Sequence, residues 1–264
     1  MEELRYEKTQ KRIRALLGDH VLADTTHALL VWEPRRVLPS YAVPADDLRA
    51  ELEPASATHE QPGEDQILHG AHEFGIHTTA GEAFDVRAGG DTRQDAAFRA
   101  ADPDLAGHVV LDFHAFSWFE EEEPIAAHPR DPYHRIDIRA GSRHVRVELD
   151  GELLAESSRP QVVFETMLPV RWYLPREDLR VPLRETDHHT LCAYKGEASF
   201  VALKVSGGER ADLAWTYVAP LREAAQLEGL VAFFSEKVEV TVNGERQEPP
   251  RHGVAATIVE ESGV

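Results

Sequence analysis

Cysteine and lysine are both scarce in this chain of 264 residues, with one cysteine, Cys192, and five lysines against 23 arginines. A lone cysteine cannot close an internal disulfide or supply a multi-cysteine zinc site. Long apolar runs are missing too: nothing approaches the ~20 residues that a membrane-crossing helix needs. Positive charge is in short supply, since 47 acidic residues outweigh 28 basic ones and leave a net charge of -19. The averaged surface repels phosphate backbones and anionic headgroups, so neither nucleic acid nor a membrane surface is an expected partner. A local basic pocket for a small anion stays open. The opening MEELRYEKTQ is charged and has no apolar h-region, which reads as a cytoplasmic protein without a cleaved signal.

What is present is a repeat. Shifting the chain by 132 positions aligns Arg12 to Tyr41 with His144 to Tyr173 without a gap, with Arg14/Arg146, Leu17/Leu149, Leu22/Leu154, Ala23/Ala155, Glu33/Glu165 and Tyr41/Tyr173 identical. After a slip of one residue, Pro44, Asp47, Leu48 and Arg49 match Pro175, Asp178, Leu179 and Arg180. Two homologous domains are expected, residues 1–140 and 141–247, with the seam near Ala140-Gly141-Ser142 and a loosely held tail over 248–264.

Within each copy the apolar pattern has period two, the mark of half-buried strands. Val145, Val147 and Leu149 alternate with polar residues, and Asp150-Gly151 then signals a hairpin, because both central residues of a type I′ turn need positive φ. Further strands are expected at Gln161 to Glu165, Arg171 to Leu174, Ala198 to Val205, Leu213 to Tyr217, Leu230 to Phe234 and Lys237 to Val242. Helical signal is confined to Leu221 to Leu227 and a short turn within Ala45 to Leu52. The expected fold is mainly β: two antiparallel β domains with few short helices. The copies diverge between Asp47 and Thr78, where the first carries a long insertion, and the acidic run Glu120 to Glu123 reads as linker or strand-edge charge.

The second copy orders Glu165, Tyr173, Pro175, Asp178, Cys192-Ala193-Tyr194-Lys195-Gly196, Ala214-Trp215-Thr216-Tyr217, Pro220 and Ala232-Phe233-Phe234. As an ordered set over residues 143 to 245 this resembles the family called domain of unknown function 427, also labelled nucleotidyltransferase-like. The resemblance implies a tent or half-barrel β fold, with tandem copies, and no settled activity. Ala193 stands where the family usually has proline after the cysteine. The first copy lacks the Cys-Ala-Tyr-Lys block and has Phe98 where Trp215 is expected, so it reads as a partner to the second copy.

Two classes of chemistry follow for the second copy. Glu165, Tyr173, Tyr194, Lys195, Trp215 and Tyr217 could line a cleft, in that domain or at the seam, for a small polar or anionic ligand, with Lys195 meeting the anionic group. Alternatively Cys192 is a nucleophile whose thiolate Lys195 favours, with His188 or His189 as base. The bland counterparts are a small buried thiol, a structural cation, and Glu165 paired with Arg146 or Arg171; a structural module without a site is the third class. Metal-dependent nucleotidyl transfer needs paired carboxylates after a glycine turn, and Gly141-Ser142 with Glu148 and Asp150 is the nearest, too closely spaced, match. His69, His72, His77 and Glu73 in the insertion form a conceivable metal set against a solvated-loop alternative. No metal and no cofactor is expected.

Overall fold

The computed structural model of the chain describes residues 2–60, 62–70 and 72–248. The expected tail over 248–264 lies outside them except for Glu248. The chain divides into two compact units, with the boundary between Asp131 and Pro132. In the first unit the strands are β1 (Arg5–Lys8), β2 (Ile13–Leu17), β3 (His20–Thr25), β4 (Leu29–Trp32), β5 (Ser40–Pro44), β6 (Glu51–Pro54), β7 (Gly81–Ala88), β8 (Asp91–Ala100), β9 (His108–Leu111), β10 (Ser117–Glu120) and β11 (Glu123–Ile125). In the second they are β12 (Ile136–Ala140), β13 (Val145–Leu149), β14 (Glu152–Ser157), β15 (Gln161–Glu165), β16 (Arg171–Leu174), β17 (Leu183–Cys192), β18 (Gly196–Val205), β19 (Gly208–Tyr217), β20 (Val231–Phe233), β21 (Glu239–Val242) and β22 (Glu245–Arg246).

Every named strand pairing is antiparallel, and the two units repeat one another strand for strand. A seven-stranded sheet runs β1-β4-β5-β9-β8-β7-β6 in the first and β12-β15-β16-β20-β19-β18-β17 in the second. A four-stranded sheet runs β11-β10-β2-β3 and, correspondingly, β22-β21-β13-β14. None of these sheets closes into a barrel. Helical turns are short 3-10 segments, the longest being Arg222–Leu227, with Ala45–Asp47 and Arg176–Asp178 at matching places in the two copies. No helix among the described residues is long and apolar enough to cross a membrane.

The expected seam at 140/141 shifts to 131/132. Arg5 opposes Trp32 and Asp137 opposes Phe164, so β12 opens the second copy as β1 opens the first, at the same offset of 132. In each unit the two sheets face one another across an apolar layer, which in the second unit includes Val147, Leu154, Trp172, Leu174 and Phe233. Fully burying one such side chain is worth about 1.5–3 kcal/mol. The alternation seen in the sequence produces this layer directly, because successive strand side chains point to opposite faces. The Asp150-Gly151 hairpin forms as expected, with φ of 50° and 81°.

One element of the repeat is out of register with the sequence alignment. Leu29 opposes Ala42 and Gln161 opposes Tyr173, so the one-residue slip falls before β5 and not after it. Ala42 is therefore the counterpart of Tyr173, and Tyr41 that of Trp172. A strand shifted by one residue turns every side chain to the other face. Tyr41 accordingly packs on Trp118 and donates to Glu120 Oε1 at 2.5 Å, while Tyr173 looks out from the opposite face of its sheet.

Candidate functional site

A row of paired residues across the outer face of the second seven-stranded sheet builds the site. Tyr173 opposes Ala232, Ala232 opposes Trp215, and Trp215 opposes Phe200, bringing residues from β16, β20, β19 and β18 side by side. Tyr217 follows two residues after Trp215 and so shares its face. A cavity of about 180 Å³ opens over this row, with Glu165, Arg171, Tyr173, Lys195, Trp215 and Tyr217 among its walls. Phe200, Phe234 and Ala198 complete the apolar part. Trp215 Nε1 donates to Tyr173 Oη at 3.1 Å, with the rings edge to face at 89°. Burial pushes both the Tyr173 and the Tyr217 phenols well above their ordinary value, which keeps the hydroxyls neutral.

At the polar end Lys195 Nζ donates to Glu165 Oε2, and His134 Nε2 lies 3.2 Å from Glu165 Oε1. Side chains of Lys195 and Glu165 are 9% and 6% exposed, so this ion pair is shielded from solvent. Burial alone would raise the Glu165 pKa, but His134 and Lys195 outweigh it and hold the carboxyl below its ordinary value. Glu165 pairs with neither Arg146 nor Arg171: Arg146 bonds Glu148 and Glu156, and Arg171 bonds Glu236 at 2.7 Å. Lys195 thus does not stand free for an anion. Its charge is already matched inside the pocket by Glu165.

Tyr194 also takes another role. It stacks on His134 at 4.2 Å and 13°, bracing the ring that faces Glu165, and is not among the cavity walls. Cys192 is half-buried at the end of β17, where it opposes Gly196. The strand runs through Leu183–Cys192, so the turn is only Ala193 to Lys195, and Cys192 and Lys195 flank it. The expected histidine bases are engaged elsewhere: His188 stacks on Phe200, and His189 Nδ1 lies 3.2 Å from Ser199 Oγ.

The insertion histidines do not converge on one point. His69 and His72 meet edge to face, His59 lies between Asp95 and Glu73, and His77 points to Glu33. No group of three or more metal-ligating side chains suited to an ion occurs among the described residues. Glu148 is tied to Arg146 and Asp150 sits in the hairpin turn, so the carboxylates expected for nucleotidyl transfer form no pair. Of the acidic run Glu120 to Glu123, Glu120 ends β10 and meets Lys11 and Tyr41, Glu121 and Glu122 form the turn to β11 with Glu122 meeting Arg12 and Arg14, and Glu123 opens β11.

Sequence reasoning missed Phe200, Phe234, His134 and Arg171 as parts of the site. The first two carry a signal, since they alternate with core positions on predicted strands; His134 carries none, lying in a stretch without periodicity. The model of the family described as domain of unknown function (DUF427) matches residues 5–63 and 137–244, beginning each match at the first strand of a copy. None of the curated proteins compared matches the chain.

Proposed function

Because the chain belongs to the family of domain of unknown function 427, as a tandem pair, and that membership assigns no reaction, we propose that its working part is the pocket of the second unit and that this pocket binds a small, planar, polar ligand. One observation carries the reading: the cavity is walled by Tyr173, Trp215, Tyr217 and Phe200 and has the buried Glu165 carboxylate at one end. Aromatic walls supply area and a flat contact, and a few fixed polar groups set orientation. The cavity volume of about 180 Å³ falls below the ~300–1,000 Å³ of drug-sized sites, which points to a ligand of one or two rings. Charge argues for a polar rather than an anionic ligand, since Glu165 neutralises Lys195 and Glu236 neutralises Arg171.

The test is retention of a small molecule. Protein incubated with the low-molecular-mass fraction of a cell extract, desalted and measured by native mass spectrometry is expected to carry an adduct that Trp215→Ala and Lys195→Met lose. An adduct undiminished in both variants, or no adduct on the wild type, contradicts the proposal.

A further inference from the structure

The first unit contains the same site in filled form. The row Tyr173-Ala232-Trp215-Phe200 corresponds to Ala42-Val110-Phe98-Ala83, paired in the same order. Tyr217 opposes Ala198 as Ala100 opposes Gly81. Glu165 corresponds to Glu33 at the 132 offset, and both are buried, with 6% of the side chain exposed. The walls of the first unit are thus cut back to alanine and glycine, leaving room for something else. That something is the insertion.

Phe74 packs against the cluster that holds Ala42, Phe98 and Val110. His77 lies flat on Phe98 at 3.6 Å and 14°, and its Nδ1 donates to Glu33 Oε1 at 2.8 Å. Thr78 N donates to Glu33 Oε2 at 2.8 Å, covering the other oxygen. His77 Nε2 is buried without a hydrogen-bond partner, so the bond of Nδ1 to Glu33 is the one that orients the ring. Gly81 is required here because a Cβ would come within 2.3 Å of the Phe98 ring. The first unit therefore holds a flat nitrogen heterocycle between an aromatic floor and a buried glutamate.

We infer that the open pocket of the second unit takes a ligand of the same chemistry: a nitrogen heteroaromatic ring that lies on Trp215 and points a ring N–H at Glu165. This rests on the pocket being a binding site, and it names the ligand class. Glu165 can accept such a bond beside its present partners, because two carboxylate oxygens offer about four acceptor sites and His134 and Lys195 use two. Tyr173 and Tyr217, absent as side-chain bulk in the first unit, provide the walls that Phe74 supplies there.

The full chain is titrated with benzimidazole and, separately, with benzoate, a flat anion without N–H, while the indole N–H resonances of the 4 tryptophans are followed by NMR. Substitution of Trp215 by Phe assigns its signal. Benzimidazole is expected to shift the Trp215 resonance saturably and to bind at least about tenfold more tightly than benzoate, a difference of about 1.4 kcal/mol. Glu165→Gln should erase that preference, and Ala198→Leu, which fills the cavity without touching an ion pair, should abolish the shift. In parallel, His77→Gly should lower the melting temperature, and added imidazole should recover it more than it stabilises the wild type. Benzoate binding as tightly as benzimidazole overturns the ligand class while leaving the pocket proposal standing. So does a His77→Gly protein indifferent to imidazole. Silence of both probes, with an adduct still found by mass spectrometry, likewise overturns the class alone.

Discussion

Trp215 Nε1 donates to Tyr173 Oη at 3.1 Å across the floor of the second unit's pocket, a contact that the first unit cannot make because Phe98 and Ala42 stand in those places. This bond fixes the plane of the indole, and with it the surface on which a flat ligand would lie. Tyr173→Phe removes the acceptor and leaves a buried indole N–H unsatisfied, at a cost of about 1–3 kcal/mol. Urea denaturation followed by fluorescence should show that loss, whereas Tyr41→Phe should cost its bond to Glu120 and leave the Trp215 indole resonance in place.

The Lys195–Glu165 pair predicts strong non-additivity. Removing one partner of a buried ion pair strands the other charge, typically at about 3–5 kcal/mol. Lys195→Met and Glu165→Gln should each destabilise the protein markedly, and the double variant by far less than the sum. A double-mutant cycle in urea checks this, and additive effects would mean that the pair is solvated.

Acid sensitivity follows from two equivalent carboxylates. For Glu165 burial acts upward and His134 and Lys195 act downward more strongly; for Glu33 burial acts upward and His77, Arg36 and the Thr78 amide act downward more strongly. Both folded pKa values lie below the unfolded one, so their stabilisation is present above about 4.5 and drains as pH falls through the folded values. Urea midpoints measured from pH 7 downward should fall steeply below about 4.5, close to the usual glutamate value, and Glu33→Gln and Glu165→Gln should each flatten that fall. An unchanged slope in both variants would remove the two carboxylates from the account.

Cys192 is expected to behave as an ordinary half-buried thiol. Iodoacetamide should label it in the folded protein no faster than in the urea-unfolded chain, because neither His188 nor His189 is directed at it. Labelling accelerated tenfold or more in the native state would revive covalent catalysis.

Much of the fold was legible because duplication and alternation are both properties of sequence. The 132-residue offset predicted two β copies, and the DUF427 resemblance holds over the second copy and the front part of the first, residues 5–63. The register was harder to see. Tyr41 and Tyr173 are identical by letter and fall at the same offset, which hid a slip that pairing places before β5. With that slip misplaced, Glu33/Tyr41 looked like a copy of Glu165/Tyr173, although Tyr41 faces the four-stranded sheet and Tyr173 the pocket. β17, spelled LRETDHHTLC, escaped notice because an edge strand exposed on both faces carries no apolar alternation. The smallness of Ala42, Ala83, Ala100 and Gly81 means nothing in the linear chain. It becomes informative once the pairing within each unit makes them the counterparts of Tyr173, Phe200, Tyr217 and Ala198.

The central claim, that the second unit's cavity is a binding site, is tested most directly by filling it. A metabolite panel screened by thermal shift against the wild type and Ala198→Leu should yield compounds that raise the melting temperature of the first and leave the second unmoved. Compounds that stabilise both proteins alike, or a panel in which nothing distinguishes them, would contradict it.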